Sequence, residues 1–288
     1  MSIKQNKAKE LLLKGINKRD SDDYKGAIID YTKAIAIDPA STSYSLRAHA
    51  ETKLKSYDAA IEDCLKAIEL DCDNPDAYYH LGYSLDMKGE HKDALKNFNK
   101  WLSLDPKNSK AYCCRGIAKS HLGDEAGAIL DYSLAIEHDS KMIEAYVNRG
   151  VSKHKLDDRH GAIEDYSSAI KQDSTMIEAH LNRGISKHML DDEYGAIEDY
   201  TNALAIDSNH VYALRLRAIS YDELGQFEQA IVDLNRLIEL NPNIADAYFL
   251  LGQAQRDLGV NLDGELNIKK AAEMGYQEAI DMLRHSNN

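Results

Sequence analysis

Four cysteines, eleven histidines and a series of Arg and Asp residues set 16 apart are the side chains of this 288-residue chain that could do chemistry. Cys64, Cys72, Cys113 and Cys114 show no C-x-x-C spacing. Free thiols in a reducing, cytoplasmic compartment are the expectation. His154 and His188 stand 34 residues apart, with His121 near the same register. Stacked helices would bring such rings within roughly 10 Å, which would suit a metal ion, a pH-responsive cluster or a polar groove lining. Asp157-Asp158 and Asp191-Asp192 recur in one register and read as helix caps and solubilising turn residues. Neither a G-x-G-x-x-G nor a G-K-S/T loop is present, and no nucleophile sits beside a base in any known pattern. The expectation is a protein without enzymatic activity, catalytic residues, metal site or cofactor.

These residues are held by a repeat. Residues 143–176 and 177–210 share 21 identities in 34 positions, and a fixed period of this length signals stacked helical units. Extending the frame gives repeats starting near residues 8, 41, 75, 109, 143, 177, 211 and 245. Repeat position 8 is Gly or Ala throughout, and position 20 is Ala in seven units and Gly264 in the eighth. Positions 4, 7, 8, 11 and 14 share one helical face, as do 20, 24 and 27, so each unit reads as two amphipathic helices. Gly89, Gly123, Gly225 and Gly259 mark the turn between them, with Asp22, Asp157 and Asp191 substituting elsewhere.

The eight copies act as an internal comparison. Arg at position 7 accompanies Asp at position 23 in Arg47 and Asp63, Arg115 and Asp131, Arg149 and Asp165, Arg183 and Asp199, and Arg217 and Asp233. Where position 7 is Leu (Leu81, Leu251), position 23 is Asn (Asn97, Asn267). Paired change at packing positions reads as a structural bridge between helices. Lys14 and Asp30 are the expected equivalent in the first repeat. Lys18, Lys119, Lys153 and Lys187 accompany Tyr31, Tyr132, Tyr166 and Tyr200, which predicts a lysine stem lying along each ring.

With these positions the chain resembles the tetratricopeptide repeat family over residues 8–278. The resemblance implies an all-α fold, a right-handed α-α superhelix of eight helix-turn-helix repeats whose first helices line a concave face. Residues 1–7 form an N-terminal extension in this reading. The tail resembles a Sel1-type half-repeat, with residues 279–288 forming a capping helix and tail over the last apolar face. Trp101, where other copies have Ala, reads either as a repacked junction or as a partner anchor.

Positions 2, 5, 6, 9, 12 and 13 would face the concavity. The expected peptide-binding groove is Tyr79, Tyr83, Ile117, Val147, Asn148, Val151, His154, Leu181, Asn182, Ile185, His188, Arg215 and Ile219. Its apolar stripe is either an interaction surface or a wall buried by neighbouring first helices. By the resemblance, Asn148 and Asn182 would bond the backbone of an extended peptide. A net charge of −13 argues against nucleic acid and anionic membranes. No run of about 20 apolar residues is present to cross a bilayer. The expected partner is a protein or peptide of apolar, optionally basic character, bound by a monomer or weak homo-oligomer acting as a scaffold. The alternatives are an assembly adaptor that self-associates through its convex face or ends, and a regulatory domain of a larger enzyme complex.

Overall fold

The computed structural model describes residues 3–286; Met1, Ser2, Asn287 and Asn288, at the ends of the expected extension and tail, lie outside them. Among the described residues there are seventeen helices and no strand. They group into two compact units, Met1–Ser152 and Lys153–Asn288.

The first unit contains α1 (Ile3–Asp20), α2 (Tyr24–Ile37), α3 (Ser41–Lys53), α4 (Tyr57–Leu70), α5 (Pro75–Met87), α6 (His91–Leu104), α7 (Ser109–His121), α8 (Glu125–His138) and most of α9 (Ile143–Lys155). The second contains α10 (Arg159–Gln172), α11 (Ile177–His188), α12 (Glu193–Ile206), α13 (Val211–Glu223), α14 (Phe227–Leu240), α15 (Ala245–Asp257), α16 (Asn261–Glu273) and α17 (Gln277–Ser286). Helix α1 already runs from Ile3, so the described part of the expected extension is helical. Within the first unit each helix packs on the next from α1 to α7, and the odd-numbered helices α1, α3, α5 and α7 also touch in succession. In the second unit α11, α13 and α15 do the same, and α17 packs on α16.

Local chemistry explains the helix ends. Asp23, Asp124, Asp158 and Asp192 each accept a hydrogen bond from the N–H of the glycine three residues on, capping α2, α8, α10 and α12. The acid before it in three of these turns takes the left-handed conformation (Asp22 φ 60°, Asp157 φ 70°, Asp191 φ 60°), the place Gly123 fills before Asp124 and Gly89 fills in another repeat. The paired acids are thus turn and cap.

The core repeats with the sequence. Tyr31, Phe98, Tyr132, Tyr166 and Tyr200 are fully buried, each worth roughly 1.5–3 kcal/mol of burial. Most of these rings fit because position 8 is glycine: a Cβ added to Gly15, Gly82, Gly116 or Gly184 would stand 2.4–2.6 Å from the ring. The small residue at position 8 therefore accommodates position 24, and in the eighth repeat Gly252 also meets the backbone of Gly264 at position 20. At the C-terminal end α17 completes a cluster of Phe249, Ile268, Ala271 and Ala279, with Tyr276, Met282 and Leu283 against it.

Candidate functional site

The Arg–Asp pairs that lie within one unit form two-pronged bridges between the helices of a hairpin. Arg47 donates to both Asp63 oxygens at 2.6 Å, and Arg115 to Asp131 at 2.9 and 2.6 Å. Arg217 reaches Asp233 at 2.7 and 2.8 Å. Arg183 donates through Nη2 to Asp199 at 2.6 Å, and that carboxylate is fully buried. Arg149, in the first unit, donates to Ser133 Oγ at 3.0 Å. Asp165, in the second, receives Lys153 at 2.9 Å. The remaining guanidinium nitrogen of Arg47, Arg115, Arg183 and Arg217 binds Thr32, Asn99, Ser167 and Thr201 of the preceding second helix. These charges are framework.

Lys14 does not reach Asp30; it pairs with exposed Glu10 at 2.7 Å, and Lys18 takes Asp30 at 2.6 Å. The lysines at position 11 do more than lie along tyrosine: Lys119 and Lys187 reach the same Asp131 and Asp199 that the arginines hold, at 2.8 and 2.9 Å. A buried carboxylate between two cations is better compensated than one in a single pair.

The expected groove divides. Val147 (5% exposed) and Leu181 (7%) are core, so they offer no surface; Leu181 packs with Tyr200, Leu204 and Leu214. Position 5 faces neighbouring helices in these repeats, which is why the apolar stripe is interrupted. Ile117, Asn148, Val151, Asn182, Ile185 and Ile219 stay partly exposed. His154 Nδ1 lies 3.0 Å from Ser186 Oγ, and His188 Nδ1 2.7 Å from Glu193, so each ring takes a partner of its own. His121 turns instead to Asp86. Arg215 is tied to Asp246 at 2.7 Å.

Tyr79 and Tyr83 line a cavity of about 610 Å³ in the first unit, on the face formed by α1, α3, α5 and α7. Trp101, 6% exposed, forms part of its wall with its ring 4.8 Å from that of Tyr79. Lys110 Nζ stands 4.1 Å from the Tyr79 ring centre, a cation–π contact. His49 and His80 stack at 4.9 Å beside it. Burial pushes His80 down to about 3 and His49 in the same direction, so both rings are neutral at pH 7. Arg19, Lys53 and Lys110 bring three cations to the lining against one acid, Asp76. Arg19, His49, Lys53, Asp76, His80 and Lys110 were not among the expected groove residues. Their signal was present: every one occupies position 2, 6, 9, 12 or 13 of its repeat.

Comparison with known proteins finds the same class of repeat in parts of the chain. A family model described as "TPR repeat" matches residues 48–86 and 220–259, and one described as "Tetratricopeptide repeat" matches 75–108. Human tetratricopeptide repeat protein 28 is 40% identical over 77 residues, 26% of this chain and 3% of that protein. The small glutamine-rich tetratricopeptide repeat-containing protein 2 of Saccharomyces cerevisiae is 35% identical over 95 residues, 33% of this chain and 28% of its own length. The chain thus spans under a third of these relatives. The crystal structure of the C-terminal part of a TPR repeat-containing protein from Cytophaga hutchinsonii shares the fold, with TM-score 0.68 at 18% identity, covering 81% of this chain and 97% of that one. No helix among the described residues is long and apolar enough to cross a membrane. Proteins of this repeat class are in general protein-interaction scaffolds without catalytic activity. By its repeats and its all-α helical-repeat fold, the chain is a tetratricopeptide repeat protein.

Proposed function

We propose that the chain is a non-enzymatic scaffold whose first unit binds a partner peptide carrying aromatic or apolar side chains next to carboxylates. The observation behind this is the cavity of about 610 Å³ that combines Tyr79, Tyr83 and Trp101 with Arg19, Lys53 and Lys110. Aromatic walls of this kind supply contact area, and cations at the rim select the sign of the guest. The neutral stack of His49 and His80 adds surface without charge. The local chemistry therefore favours an acidic segment, in place of the basic one that net charge alone would select. Ile117, Asn148 and Val151 extend this reading in the first unit. Asn182, Ile185 and Ile219 are the corresponding contact points proposed in the second.

The test is fluorescence anisotropy with peptide pools matched in aromatic content but differing in charge sign. Acidic-aromatic peptides are expected to bind. Tyr79→Ala combined with Lys110→Glu should weaken that binding about tenfold or more while helicity is unchanged. Equal binding of acidic and basic pools, or no loss in the variant, overturns the proposal.

A further inference from the structure

Asp86 is buried in the last turn of α5, and two histidines from other helices meet at it. Its Oδ1 accepts from His91 Nδ1 at 2.7 Å and from His121 Nδ1 at 3.2 Å. His91 opens α6 and His121 closes α7. The two rings lie 4.6 Å apart, and one ligand atom from each of the three residues falls within 4.8 Å of the others. We propose that Asp86, His91 and His121 form a binding site for a divalent first-row transition-metal ion of the zinc class.

The donor set carries the assignment. Two imidazole nitrogens and one carboxylate suit zinc, nickel, cobalt or copper, whereas calcium and magnesium take oxygen ligands. Metal–ligand bonds of about 2.0–2.2 Å in a tetrahedron place ligand atoms roughly 3.3 Å apart. The contacts of 2.7 and 3.2 Å at Asp86 are close to that spacing, so small side-chain rotations admit the ion. Binding replaces the two Nδ1–H···O hydrogen bonds: each imidazole presents a lone pair, its Nδ1 proton having moved to the other ring nitrogen or to solvent. The half-exposed His121 ring leaves a coordination position open to water.

The other repeats show that more is present here than a turn contact. Positions 12 and 17 face each other across the turn in Ser120 with Glu125, 2.9 Å apart, and in His188 with Glu193, 2.7 Å apart. Asp86 and His91 reverse the order of base and acid, and a third ligand arrives from the following repeat. One histidine already completes the cross-turn pair. A second ring competing for the same oxygen adds a ligand that pairing does not need. Bound metal would staple α7 to the α5–α6 hairpin, three residues from Tyr83 on the cavity wall.

The test uses the full chain after chelator treatment and dialysis. Zinc chloride is titrated calorimetrically, and cobalt(II) is followed by its ligand-field absorption. Wild type is expected to bind one ion per chain at this site, with about micromolar or tighter affinity, and to melt at higher temperature in its presence. His121→Ala, at an exposed ring, should weaken binding about tenfold or more and remove the cobalt spectrum. Asp86→Asn should do the same, and His188→Ala should leave both unchanged. Absence of saturable binding in wild type, or equal binding by wild type and His121→Ala with helicity retained, overturns the site.

Discussion

Glu51 occupies the register that elsewhere holds Lys18, Lys119, Lys153 and Lys187, whose ammonium groups each reach an Asp. Here a carboxyl stands in its place, 8% exposed. Burial first, and the charge of Asp63 second, push Glu51 from 4.5 up to about 8, against the pull of Arg47. The folded chain thus keeps a proton that the unfolded chain loses near pH 4.5. Folding takes up a proton between about pH 4.5 and 8, so this group's contribution is most favourable at the low end and declines as pH rises through that window. Glu51→Gln keeps the shape and removes the titration. Its melting temperature should match wild type at about pH 5 and exceed it by a few degrees at about pH 9. Parallel melting curves at both values would refute this. At this scale the Arg–Asp bridges were legible because both partners change together, as Leu81 with Asn97 shows. The lysine-to-Asp contacts were not, since Asp63 and Asp233 persist where the lysine is gone, and a constant partner leaves no correlated change.

The helix pair is held by the fit of position 8 against position 24. Gly184 meets Tyr200 so closely that an added Cβ would lie 2.5 Å from the ring, while Tyr200 is 1% exposed and cannot retreat. Repeats with alanine at position 8 use a smaller partner: Ala48 with Cys64, Ala218 with Leu234. Gly184→Ala alone should therefore cost about 1–3 kcal/mol through overpacking. Tyr200→Leu alone should cost a similar amount by leaving a cavity. The double variant reproduces the Ala218–Leu234 arrangement and should cost clearly less than the sum, a coupling that denaturant unfolding measures. Additive losses would show that the notch does not govern this packing. Element positions were readable from the 34-residue period because the caps and left-handed turns recur with it. Which first-helix residues stay at the surface was not, because Val147 and Leu181 lie at register position 5, as Tyr79 does, yet their neighbours bury them.

For the whole molecule, the net charge of −13 and the cationic lining of the cavity act over different distances. A total is silent about placement: Arg19, Lys53 and Lys110 are each more than 30 residues apart in the chain, and only the packing of α1, α3, α5 and α7 assembles them. The far field repels an acidic peptide, and the near field attracts it. Screening separates the two, since the Debye length is about 30 Å at 0.01 M salt and about 10 Å at 0.1 M. Raising salt between these values removes most of the repulsion felt on approach, while contacts within a few ångströms of Lys110 and Arg19 persist. The association rate of an acidic-aromatic peptide should rise over this range with little change in dissociation, and dissociation should accelerate only at higher salt. Stopped-flow mixing across a salt series reads both rates. An association rate that falls steadily from the lowest salt upward would mean that the cavity's cations already dominate at long range, against a chain-wide repulsion.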